Sequence, residues 1–159
     1  MIQLTWPHKD TDWACMLEEV NACFLKIAYE VLKRQNLLIV APDPDSIRNS
    51  IDNYGADIQK LITSKINTND TWARDHAFIT LLKEDATPLL LDFCFNGWGM
   101  KFAANKDNLI NWNLYQSNLV KGIIQTVVTL YLKEDLSKVM VKEPCLQLLP
   151  VSSLLIGTT

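Results

Sequence analysis

The chain has 159 residues, enough for one domain with a core of its own and too few for two ordinary ones. With 48% hydrophobic and 21% charged residues it sits among folded domains, away from disordered or collagen-like compositions. A net charge of -3 offers no basic field to polyanions, which argues against nucleic acid as a partner, and no apolar run approaches the roughly 20 residues of a membrane span, so no membrane partner and a cytoplasmic address are expected.

Gln3 to Trp6 reads as a short strand. Asp10, Thr11 and Asp12 can cap a helix from about Trp13 to Arg34, with Met16, Leu17, Val20, Phe24, Ile27, Ala28, Val31 and Leu32 recurring at helical spacing on one buried face. Leu37 to Val40 is a buried strand closed by an Ala-Pro-Asp-Pro turn, after which Asp45 or Ser46 can cap a helix that ends near Gly55. Leu61 to Ile66 is a further strand and Asn67 to Thr71 a loop. Ala77 to Leu82 and Leu89 to Phe95, around Lys83 to Ala86, have the pattern of a hairpin. The fold class is α+β. Cys15, Cys23, Cys94 and Cys145 show no CxxC spacing, so reduced, mostly buried thiols are expected rather than a zinc site or a disulfide framework.

Three segments concentrate the chemistry: TWPHKDTDW over Thr5 to Trp13, NDTWARDH over Asn69 to His76, and LDFCFNGWG over Leu91 to Gly99. In this order and spacing they resemble the agmatine deiminase and Porphyromonas-type peptidyl-arginine deiminase family, whose pattern includes WPH…W, NDxWxRD and DFxFNxWG. The resemblance runs from Gln3 to about Gly122 and implies an incomplete pentein, an α/β propeller of ββαβ units around a pseudo-fivefold axis, with roughly two of the five units present.

In that family a cysteine thiolate attacks the guanidinium carbon, a histidine shuttles protons, ammonia leaves and water releases a ureido product. The resemblance implies a small guanidine such as agmatine, or an arginine side chain, as the partner, and no metal or organic cofactor; the oligomeric state is left open. Asp75 matches the carboxylate that grips the guanidinium through two parallel N–H bonds, and Trp72 the aromatic wall that stacks on the cation's flat face. Asn69, Asp70 and Arg74 match the remaining positions of this substrate-binding segment, and shaping its loop is the role expected of them.

The nucleophilic cysteine and catalytic histidine of the family lie further along a longer chain, so no catalytic residue is expected here. Taken alone, Asp70, Arg74 and Asp75 could equally form a surface ion pair, typically worth about 0–1 kcal/mol, and Trp72 could be a core anchor; the three segments together favour the clamp. Asn96 to Gly99 is expected to form a turn around a packed tryptophan. An independent thiol enzyme built on Cys94 and His76, and a non-catalytic guanidinium-binding or interaction module, are the other readings. Cys94 fits a strand residue better than a nucleophile, and His76 a residue that tunes or shields the loop.

Beyond about Gly122 the resemblance stops. The family continues into EGGSIExDGxGTLLTT, with its second guanidinium-binding carboxylate, whereas Gln125 to Leu136 reads QTVVTLYLKEDL. Joining the last base of each codon to the first two of the next, Leu132-Lys133 allows glutamate, Lys133-Glu134 and Glu134-Asp135 allow two glycines, and Met140-Val141 forces glycine. The sequence therefore predicts an N-terminal deiminase part over residues 1–122 and an out-of-frame tail over 123–159, the frame changing between Gly122 and Gln125, with only local propensity in the tail. It also predicts a gene start upstream of Met1, and an inactive fragment whose open ring exposes apolar faces and strand edges.

Overall fold

A computed structural model describes residues 1–127. The tail from residue 128 onward, with most of the expected out-of-frame stretch and Cys145, lies outside the described residues. The described residues form two three-stranded sheets with helices packed on them.

The first sheet is wholly parallel: β1 (Ile2–Thr5), β2 (Leu37–Ala41) and β3 (Leu61–Lys65), in the order β1-β2-β3. Parallel neighbours need crossover connections, and α1 (Leu17–Leu32) and α2 (Pro44–Asn53) supply them. All five residues of β2 are buried, as an unbroken apolar run on a central strand requires. Because strand side chains alternate, Leu37, Ile39 and Ala41 pack with Ala28 and Leu32 of α1 and Ile51 of α2, while Leu38 and Val40 meet Ile110 and Leu114 from the opposite face. Each fully buried leucine or isoleucine contributes about 1.5–3 kcal/mol.

The second sheet has the chain order strand, strand, helix, strand. β4 (Ile79–Leu82) and β5 (Pro88–Phe93) make the expected antiparallel hairpin, α5 (Asp107–Gln116) follows, and β6 (Ile123–Val127) runs parallel to β5. Between them lie two single turns, α3 (Ala73–His76), just before β4, and α4 (Gly97–Met100), just before α5. The sheet's pairing extends past Gly122, in register from Leu89↔Ile123 to Phe93↔Val127. These five residues, the first of the expected out-of-frame tail, pair with β5 and close a ββαβ unit. Gly122 itself has φ +144, and a Cβ there would stand 2.6 Å from the Pro88 carbonyl oxygen, so glycine suits the entry to this strand.

Three expectations are corrected. The buried stripe of α1 centres on Ala28 and Leu32, with Phe24, Leu25 and Val31 beside them, while Met16 and Ile27 are exposed at 43% and 41%. Ile27 points about 100° away from Ala28, off the stripe that meets the sheet. No side chain caps that helix: Thr11 instead bonds back to His8, donating its hydroxyl to the carbonyl oxygen at 2.7 Å. At α2 the cap is Asp43, one residue before Pro44, and it accepts from the Ser46 N–H. The third concerns the thiols: Cys15, Cys23 and Cys94 are all exposed, one in the turn just before α1, one on α1 and one just past the end of β5. Among the described residues no helix is long and apolar enough to cross a membrane.

Candidate functional site

The segment Asn69 to His76 lies between β3 and β4, and each of its polar side chains is held differently. Asn69 reaches across the chain to the start of α5. Its Oδ1 accepts from the backbone N–H of Lys106 at 2.7 Å and of Asp107 at 3.2 Å, while its Nδ2 donates to Asn105 Oδ1. Asp107 returns the bond, its Oδ1 accepting from the Asn69 N–H at 2.6 Å. Asn69 therefore behaves as a remote helix cap that ties the loop to α5. The Asp107 carboxyl is buried, and desolvation pushes its pKa above the ordinary value against the pull of the Asn69 and Asp70 backbone N–H groups.

Asp70 binds its own loop: Oδ1 accepts from the Thr71 N–H at 2.8 Å and Oδ2 from the Trp72 indole N–H at 3.0 Å. Desolvation raises this carboxyl too, with the Asp12 charge adding to it, although these hydrogen bonds oppose the shift. Its effect on the site is to aim the Trp72 ring.

That ring is 42% exposed and stands among other aromatics. Trp13, whose indole N–H donates to Thr71 Oγ1 at 2.9 Å, lies 6.0 Å from it between centroids; Trp98 meets it edge-on at 5.9 Å. Trp98 in turn packs edge-on against Phe95 at 5.1 Å and Phe102 at 5.5 Å. Edge-to-face pairs of this kind add about 0.5–1.5 kcal/mol each beyond burial and fix the ring planes. Trp98 forms the expected packed turn, and it also becomes a neighbour of Trp72, which the sequence reading did not foresee.

The turn that carries Trp98 has an uncommon backbone. Gly97, Trp98, Gly99 and Met100 all have positive φ, at 61°, 53°, 77° and 66°. Left-handed conformations cost L-residues roughly 1–2 kcal/mol apiece, so Trp98 and Met100 are held there by their surroundings. Asn96 contributes by accepting from the Gly99 N–H at 3.0 Å, and the Met100 N–H reaches the Asn96 carbonyl at 2.7 Å.

Asp75 follows the aromatic residue by three positions within α3 and is half-buried, its N–H donating to the Trp72 carbonyl oxygen at 2.9 Å. Arg74 is exposed and lines a groove with Gln3, Thr80, Leu90 and Lys121, a lining that does not include Trp72. His76 is buried: its Nε2 lies 3.3 Å from Thr5 Oγ1, and its carbonyl oxygen accepts from Asn111 Nδ2 at 2.7 Å. His8 Nε2 pairs with Thr68 Oγ1 at 2.9 Å, and burial lowers its pKa below the ordinary imidazole value. Cys94 is exposed. The structure thus brings Asp70, Trp72, Trp13 and Trp98 together, sets Asp75 in the adjoining turn, and puts Asn69 to structural use.

A half-open aromatic wall is suited to a flat organic cation, which stacks on an indole face and can donate paired N–H bonds to a carboxylate. Residues 1–130 match the family model for the Porphyromonas-type peptidyl-arginine deiminase. A Porphyromonas gingivalis protein assigned as an arginine deiminase is 43% identical with a TM-score of 0.65 over 78% of the chain. A cysteine-to-serine variant of C. jejuni agmatine deiminase with substrate bound is 30% identical with a TM-score of 0.70 over 80% of it. The chain spans only 36% of the length of either structure.

Proposed function

The chain belongs to the Porphyromonas-type peptidyl-arginine deiminase family, and on that premise we propose that it carries the guanidinium-holding part of a deiminase acting on agmatine or on arginine side chains. The reaction so proposed hydrolyses the guanidinium C–N bond and releases ammonia, as a step of arginine catabolism or putrescine formation in the cytoplasm. Asp75 holds the guanidinium and Trp72 covers its face, with Asp70 aiming the ring and Asn69 and Arg74 shaping the segment. The observation that carries this reading is the aromatic wall at Trp72, fixed by Asp70, Trp13 and Trp98 next to the turn that contains Asp75.

The cysteine nucleophile and proton-shuttling histidine belong, in this proposal, to a part of the fold beyond these residues, so the chain alone is inactive. His76 is buried and engaged with Thr5 while Cys94 is exposed, which favours this reading over a thiol enzyme built from that pair. A change of reading frame between Gly122 and Gln125 is part of the proposal. Sequencing the codons from Leu132 to Asp135 tests it: failure to spell Glu-Gly-Gly in the other frame removes it.

The functional test is agmatine binding by the purified chain alongside an ammonia assay. Binding that is strongly but measurably weakened in Asp75→Asn, with no ammonia produced, is expected. Ammonia release abolished by Asp75→Asn overturns the inactivity, and binding that is indifferent to both Asp75→Asn and Trp72→Ala overturns the clamp.

A further inference from the structure

Behind the candidate clamp, a buried set of polar side chains joins every element that meets there. Thr5, at the end of β1, lies 3.3 Å from His76 Nε2 at the end of α3. Asn111 on α5 donates through the same nitrogen to the His76 carbonyl oxygen at 2.7 Å and to Asp92 Oδ1 on β5 at 2.6 Å. Thr5, His76 and Asn111 are each no more than 1% exposed. Both partners of the Asn111 nitrogen are acceptors, which fixes the amide's orientation and commits both of its hydrogens.

A single helical turn has almost no stability of its own, because nucleation fixes several residues for one hydrogen bond. α3 has four residues and no side-chain cap. Its direction is therefore set from outside, and His76 carries two of the contacts that set it: the ring meets Thr5 of the first sheet, and the carbonyl is held by Asn111, itself tied to the second. Asp75 is the residue immediately before.

We infer that Asn111 is a positioning residue for Asp75, because by tying the His76 carbonyl to Asp92 it fixes the direction in which the Asp75 carboxylate leaves the turn. The inference rests on the reading of Asp75 as the guanidinium clamp. Asn111 lies outside all three sequence motifs, and its role in this proposal runs through the backbone of residue 76.

The test titrates agmatine into the full chain as wild type, Asn111→Ser, Asp75→Asn and the double variant, following amide resonances by NMR. Asn111→Ser keeps a small polar group but cannot reach both acceptors. It is expected to bind agmatine about ten-fold more weakly, with the double variant no weaker than Asp75→Asn alone, since two changes acting through one contact are not additive. A folded Asn111→Ser chain that binds within about two-fold of wild type overturns the inference. If that variant does not fold, Asp92→Ala, which removes the acceptor of Asn111, replaces it: a smaller weakening with the same non-additivity is expected, and unchanged affinity overturns. Should the wild type bind no agmatine, the clamp reading fails separately. The positioning role is then decided by the ligand-free amide shifts of residues 73–77, expected to move in the variant, with changes confined to α5 overturning it.

Discussion

Replacing Asn69 with alanine removes an acceptor from two backbone N–H groups at the start of α5 and a donor from Asn105. Water can replace the acceptor at Lys106, which is exposed, but not at Asp107, which is 2% exposed. Loss of a helix cap costs about 0.5–2 kcal/mol, and the buried N–H places this case in the upper half, at roughly 1–2 kcal/mol. The backbone bond from Asn69 to Asp107 survives the change, so the loss does not spread to the buried carboxylate. For a chain of this size the melting temperature should fall by about 3–8 °C with an unaltered denaturant slope. Thermal and urea unfolding followed by circular dichroism provide the measurement. A midpoint unchanged to within about 1 °C would refute the assignment of Asn69 as the cap of α5.

Gly97→Ala should destabilise by about 1–3 kcal/mol or more in the same assay, because φ is +61° and the added Cβ would run into the Phe102 carbonyl oxygen. Cys15, Cys23 and Cys94 should all react with an aromatic disulfide reagent before any unfolding; a need for denaturant at any of them contradicts their exposure. Burial raises the folded pKa of Asp107, so its ionised form weakens the fold, and the penalty is relieved as pH falls toward the unfolded value of 3.8. The stability of Asp107→Asn relative to wild type should accordingly decline between pH 7 and pH 4, and a pH-independent difference rejects the desolvated carboxyl.

Local pattern made much of this fold legible. The apolar run at Leu37, the long helical period from Leu17 and the two strands around Lys83 each fall where the chemistry of the residues puts them. Misreadings cluster where distance in sequence and contact in space diverge. The α1 stripe was centred on spacing alone, yet the sheet it covers decides which residues turn inward, and Ile27 does not. The Thr11 hydroxyl turns back to His8, donating to its carbonyl and accepting from its N–H, so it caps no helix. Of the candidate site, the motif identified the segment but not the division of labour within it. Nothing local connects Asn69 to Lys106, or Asn111 to His76, and Trp98 became a neighbour of Trp72 only through a left-handed turn that glycines at 97 and 99 hint at without specifying.

The covering of β2 from both faces has a bearing on synthesis. Its strands are complete once Lys65 has been made, but Leu38 and Val40 wait for Ile110 and Leu114, which follow roughly fifty residues later. At ordinary translation rates that interval lasts about 3–10 s, during which one side of the first sheet is greasy and bare on the ribosome. Until α5 is made, the apolar face of Leu38 and Val40 has none of its native cover from that helix.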